Sequence, residues 1–224
     1  VFDNESAMLE AAGHTVVRYE RHNDEVKRIS KLSLFFKTIW NRTTYREISA
    51  LISQHHPDVI HCHNIFPLIS PSVYWAAARQ NVPIVQTLHN YRMICINPYL
   101  YRKGKLCELC VGRSPIPGVI RRCYRDSLAA SFTVAAMLII HRMLGTYRNK
   151  VTTYMALTEF GRQKFLAAHL CDPAKVVVKP NAVAPTLPAI EPIEATEPVE
   201  AIEAIEATEP VEAHQNSRTH ALPT

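Results

Sequence analysis

No apolar run in this chain of 224 residues is long enough to span a bilayer. The longest, Leu128 to Ile140, is interrupted by Ser131 and Thr133, whereas a spanning helix needs roughly 20 residues. Its two readings are a core helix and a helix lying on an anionic membrane surface beside its basic flanks. No signal peptide is visible. Glycine is scarce, with 6 residues against 15 prolines, and residues 1–183 contain neither a Walker loop nor a G-x-G-x-x-G fingerprint. The usual backbone cradles for phosphate are therefore absent from this stretch. No nucleic-acid-binding motif appears, and the basic residues are scattered apart from Arg121, Arg122 and Arg125. Nucleic acid is not an expected partner.

Aromatic residues are missing from Pro185 to Ala213, where glutamate recurs every third position from 191 to 212 and EATEPVEA occurs twice, at 194–201 and 206–213. Pro192, Pro198 and Pro210 oppose a continuous helix. A three-residue period with proline suits polyproline II, with the carboxylates along one edge. Such a segment cannot bury enough apolar area to offset its ordering entropy. The expected organisation is thus a globular domain over 1–183 and a disordered acidic tail over 184–224. The division also separates charge. Residues 1–183 carry 24 Lys and Arg against 12 Asp and Glu, a net +12, while the remainder is −7. A strongly basic body favours anionic partners.

Within the body, apolar strand-like runs end abruptly in polar pairs. Asp58–His61 leads through Cys62 into His63-Asn64, Ile84–Leu88 into His89-Asn90, and Tyr154–Leu157 into Thr158-Glu159. Helices are expected up to Ala12 (capped by Asp3 or Asn4, with Gly13 just past the end), over 30–53, 70–80, 116–148 and 159–169. Strands are expected at Thr15–Tyr19, 58–61, 84–88, 153–157 and 175–178, with 91–115 irregular. This alternation predicts an α/β fold, a Rossmann-like parallel sheet with flanking helices. Ligands in such sheets bind outside the carboxyl ends of the strands. His89 could donate a hydrogen bond into that cleft, or cap a strand end through the backbone. Glu159 could face the cleft or complement a helix dipole. His61 reads as structural, facing away from Cys62.

Cys95, Cys107, Cys110 and Cys123 form a second constellation, a C-x-x-C pair with one cysteine 12 residues before it and one 13 residues after. Four such thiolates can close a structural zinc site. Free buried thiols and a redox disulfide are the alternatives. No histidine lies near the pair, which argues against catalytic zinc, and no Cys–His arrangement fits a cysteine protease. Cys62 and Cys171 read as small buried hydrophobes.

Five blocks in order, FDNESAMLEAAGHTV, DVIHCHNIFPLISPSV, VPIVQTLHNYRMIC, YMALTEFGRQKF and KVVVKPNAV, resemble the N-terminal domain of retaining GT-B glycosyltransferases of the family-4 type. In that fold two Rossmann-like domains face a cleft; the first holds the acceptor and the second the nucleotide sugar. The resemblance implies that His89 lies near the transferred sugar, that His63 and Asn64 lie on the acceptor side, and that Thr158 and Glu159 face the cleft. Lys179-Pro180-Asn181 matches the segment leading into the second domain. It implies sugar transfer from a nucleotide-sugar donor to a glycan or lipid-linked acceptor, in the cytoplasm or peripherally at the membrane's inner face, with no catalytic cofactor. The chain departs from the pattern in opening on a helix, where a glycine-rich loop and first strand are expected, and in carrying the Glu-Pro-Ala repeat where the donor domain would begin. It is expected to be truncated at both ends and inactive alone. A non-catalytic binding module, or a defective fragment, is the reading from a different class.

Overall fold

The computed structural model describes residues 1–181, and the expectations for the acidic repeat fall outside the described residues. A four-stranded parallel sheet organises them. Its strands are β1 (Ile60–Cys62), β2 (Ile84–Leu88), β5 (Thr153–Ala156) and β6 (Val176–Val178), in the order β1-β2-β5-β6. Ile60 pairs with Ile84, Leu88 with Ala156, and Ala156 with Val178, so the carboxyl ends of β1, β2 and β5 lie side by side. Ile84 and Tyr154 at the centre of the sheet are fully buried. Strand β2 buries residues on both faces, as a central parallel strand does.

Eight α-helices surround this sheet among the described residues: α1 (Phe2–Ala11), α2 (Lys31–Ile39), α3 (Arg42–His55), α4 (Ser72–Arg79), α5 (Ile116–Ile120), α6 (Leu128–Met143), α7 (Thr146–Asn149) and α8 (Glu159–Ala167). Helix α3 packs on α4, and both α2 and α5 pack on α6. Val134, Leu138 and His141, spaced four and three residues apart, put one face of α6 into the core. That bears out its reading as a core helix. His141 is completely buried yet satisfied at both ring nitrogens, by Thr146 Oγ1 at 2.9 Å and the Ile39 carbonyl at 2.8 Å.

Several expectations needed correction. Thr15–Tyr19 joins no ladder and is held by side chains instead: Arg18 pairs with Glu10, and the Tyr19 hydroxyl donates to Glu47. Helix α1 is capped at Val1, and Asp3 lies inside its first turn. Within 91–115 a short hairpin forms, β3 (Tyr101–Arg102) with β4 (Lys105–Leu106), because Lys103 and Gly104 both take positive φ in the turn. The helical span expected at 116–148 is divided by left-handed residues at Arg122, Arg125, Asp126 and Gly145.

The helix expected over 30–53 is likewise two helices, broken at Trp40-Asn41. Asn41 is buried and caps α3 by accepting from Thr43 and Thr44 N–H at 3.0 and 3.3 Å. Its amide donates to the Leu68 carbonyl, while its own backbone bonds Ser70 and Ser72. A cap with that many long-range partners outweighs the continuous helix that the apolar spacing favours. Replacing Asn41 by Ala removes the cap and leaves the Leu68 carbonyl only the Thr44 hydroxyl at 3.4 Å, with an expected cost of about 1–2 kcal/mol. Asn41→Ser keeps a capping oxygen without burying a charge and should cost less; urea unfolding of both variants tests the ordering.

Candidate functional site

The polar ends of β1 and β2 are fixed by one buried side chain. Gln86, 3% exposed, accepts from the Tyr74 hydroxyl at 2.6 Å. Its amide donates to the carbonyls of His63 and Thr87 at 2.6 and 2.8 Å. This bond ties the residue just past β1 to β2, and so brings two histidines from different strands together. His63 Nδ1 and His89 Nε2 are 2.8 Å apart, with the rings nearly parallel.

Behind them lies Glu5 of α1. Its Oε2 stands 3.3 Å from His63 Nε2 and 4.0 Å from His61 Nδ1, while Oε1 pairs with the Lys179 ammonium. The approach to His63 is close but poorly aligned, and Oε2 is a buried oxygen without a hydrogen-bond partner. A carboxylate facing Nε2 favours a proton there, which leaves His63 Nδ1 to accept from His89 Nε2–H. His89 then keeps Nδ1 as its remaining acceptor. His61 bonds Thr87 Oγ1 at 2.7 Å. Glu5, His61 and His63 offer ligand atoms within 4.8 Å of one another, a spacing that could hold a cation. Lys179 already supplies a positive charge to the Glu5 carboxylate.

Burial lowers the pKa of all three histidines, that of His63 to about 4, with the neighbouring His61 and His89 opposing its protonation. Glu5 behaves oppositely. Burial alone would raise its pKa, but the hydrogen bond from Lys179 and the charges of His61, Lys179 and His63 together lower it. At neutral pH the cluster is one carboxylate, one ammonium and three neutral imidazoles.

His63, Asn64, His89 and Asn90, all expected at the site, line one open cleft with Phe66 and Arg92. Asn64 and Asn90 each turn back on the chain, accepting from Phe66 N–H at 3.4 Å and Arg92 N–H at 2.9 Å. Thr158 and Glu159 do not line this cleft. Thr158 caps α8 by accepting from Gly161 N–H at 3.0 Å, and Glu159 is exposed and bonded to Arg162 and Gln163. The four clustered cysteines line a separate cavity. Cys62 is buried, with its thiol pushed up to about 12 by burial; Cys171 is half-buried at about 11.

Sequence reasoning missed Glu5, His61, Thr87, Lys179 and Arg92. Only His61 carried a signal: residues two apart on a strand share a face, and the His61 and His63 rings do lie 4.3 Å apart. Arg92 is held between Phe66 and Tyr124, its guanidinium 4.5 and 4.6 Å from the ring centres. A stacked cation in a cleft wall is a ready site for an anionic group.

A parallel sheet whose strand ends place polar side chains around an open cleft defines an α/β ligand-binding domain. The chain belongs to glycosyltransferase family 4, whose family model (Glycosyltransferase Family 4) matches residues 2–187. No curated protein and no solved structure matches it.

The depressed histidines make a pH prediction. In the unfolded chain they take up protons near their ordinary value of 6.5, before the folded cluster does. Their contribution is therefore complete above about pH 6.5 and is lost as pH falls toward about 4, the His63 value. The thermal midpoint should drop across that window, and His63→Gln should flatten the drop. Midpoints at pH 7.5, 6 and 5 check this; an unchanged slope in the variant would refute the assignment.

Proposed function

We propose that residues 1–181 form the acceptor side of a retaining GT-B glycosyltransferase that transfers a sugar from a nucleotide-sugar donor to a lipid-linked or polysaccharide acceptor. The observation that carries this reading is the Glu5–His63–His89 array at the wall of the cleft. It leaves His89 neutral, with Nδ1 available to accept from a sugar hydroxyl and so hold it in a fixed direction. Orientation of this kind lowers a barrier by removing the entropy of alignment. Arg92 supplies the cation that a lipid-linked phosphate or diphosphate would need at the same wall. No catalytic cofactor is invoked, because imidazole and guanidinium suffice for these positioning roles.

The donor's diphosphate needs a preorganised set of donors and charges as it leaves. Residues 1–183 carry no Walker loop or G-x-G-x-x-G turn, so we assign the donor to a second Rossmann-like domain facing this one. On this reading residues 1–183 do not bind the donor by themselves. Calorimetric titration should show binding of a short-chain polyprenyl diphosphate-sugar and none of UDP- or GDP-sugars. Arg92→Met should weaken acceptor binding about tenfold, the scale of one charge-assisted hydrogen bond. Micromolar binding of a nucleotide sugar with no acceptor binding would overturn the assignment.

A cytoplasmic enzyme acting on a lipid-linked acceptor must reach the bilayer surface. No helix among the described residues is long and apolar enough to cross a membrane. Helices α2 and α6 instead expose Leu32, Phe36 and Phe132, at 69%, 60% and 52%, with Phe35 stacked on Phe132. Exposed Arg28 and Lys31 lie at the start of α2. Apolar side chains beside cations suit a peripheral contact with an anionic membrane. The double change Phe36→Ser, Phe132→Ser should reduce co-sedimentation with anionic vesicles at least about tenfold, given about 1.5–3 kcal/mol per buried aromatic. Equal binding by the variant would remove this face from consideration.

A further inference from the structure

Residues 91–127 depart from the sheet between β2 and α6, and much of this stretch is turn. Its interior is nevertheless closed: Ile94 and Ile96 are fully inaccessible, Leu100 nearly so, and Cys95 and Cys110 are buried. Packing is tight enough that a Cβ on Gly118 would meet Ile96 Cδ1 at 2.9 Å. Cys95, Cys107, Cys110 and Cys123 line one cavity. None of them is in a disulfide.

The local geometry is that of a metal knuckle. The β3–β4 hairpin delivers Cys107, whose N–H bonds the Leu100 carbonyl at 2.8 Å. The chain then turns through Cys107-Glu108-Leu109-Cys110, with Val111 N–H bonded to the Glu108 carbonyl at 3.0 Å and Gly112 at φ +64. A C-x-x-C turn presents two sulfurs to one point, and Cys95 and Cys123 approach from the flanking segments. A divalent ion on four thiolates carries a net double negative charge, and Arg102 and Arg121 line the same cavity.

We propose that Cys95, Cys107, Cys110 and Cys123 bind one structural zinc ion. Soft thiolates in a set of four favour zinc among the common divalent ions, and a closed four-sulfur site has a structural rather than a catalytic role. Binding displaces the thiol protons to solvent and draws the sulfurs inward, since no three of them are as closely grouped as Glu5, His61 and His63 are among the described residues. The ion would brace the segment that carries Arg92 into the wall of the cleft.

The test uses the full 224-residue chain, produced with zinc present and purified in reductant without chelator. About one zinc per chain is expected by elemental analysis, with Cys171→Ser retaining it and Cys107→Ser, Cys110→Ser losing it. Exchange of Co²⁺ into the unaltered chain should give thiolate-to-cobalt charge-transfer bands and the intense visible bands of a tetrahedral four-sulfur site. This spectrum decides the matter even if the double variant fails to fold. A cooperatively folded chain without zinc and without those bands would overturn the proposal. So would zinc retained by the double variant, or a disulfide among the four in freshly purified protein.

Discussion

A buried amide in the middle of a parallel sheet must have its hydrogen bonds met within the protein, and Gln86 meets this demand in a way that builds the cleft. Its oxygen takes the Tyr74 hydroxyl, and its nitrogen reaches the backbone carbonyls of His63 and Thr87. Each group left unpaired at such depth would cost about 1–3 kcal/mol. The arrangement therefore fixes where β1 ends relative to β2. The position of His63 against His89 follows from that, as does the acceptor left free on His89. An apolar residue at 86 would fill the strand equally well and leave the two strand ends unlinked.

The second constraint is electrostatic. Glu5 and Lys179 lie at opposite ends of the described chain and meet behind the histidines. A lone buried carboxylate there would tend to protonate, and a lone ammonium would repel any proton from the imidazoles. With both present the carboxylate is ionised and Lys179 offsets part of its pull on the imidazole protons, so that burial keeps the histidines neutral. The ion pair thus has a chemical consequence beyond holding α1 to the end of β6. It presents the cleft with imidazole nitrogens that can accept as well as donate.

The sheet was legible in the sequence because each central strand is a short apolar run stopped by a polar pair. The stop positions His63-Asn64 and His89-Asn90 located the cleft for the same reason. Thr158-Glu159 obeyed the same pattern, yet that pair is occupied with capping and charging α8. A polar pair after a strand serves a ligand or a helix equally well, and periodicity cannot separate the two. Asn41 broke a helix that its neighbours' spacing predicted, because its partners at Leu68, Ser70 and Ser72 are distant in sequence. Thr15–Tyr19 has the β-branched and aromatic residues of a strand, but a strand exists only with a ladder partner, and Val17 stays exposed. Glu5 looked like any acidic residue in a first helical turn. Its role depends on Lys179 and on two strand ends, none of which is near it in the chain.

The stretch between β2 and α6 joins these constraints. Immediately after His89-Asn90 the chain leaves the sheet, and Arg92 must be placed by something other than strand pairing. Phe66 and Tyr124 clamp its guanidinium, and Nη1 donates to the Ile96 carbonyl. Tyr124 follows Cys123, and Ile96 follows Cys95, so two of the contacts that hold Arg92 are adjacent to cysteines of the second cavity. This segment is held by local turn bonds and one short hairpin rather than by the sheet. Whatever fixes the cysteines therefore also fixes the cation at the cleft wall. The histidines are positioned by the sheet; Arg92 depends on the cysteine-rich stretch, and the cleft needs both.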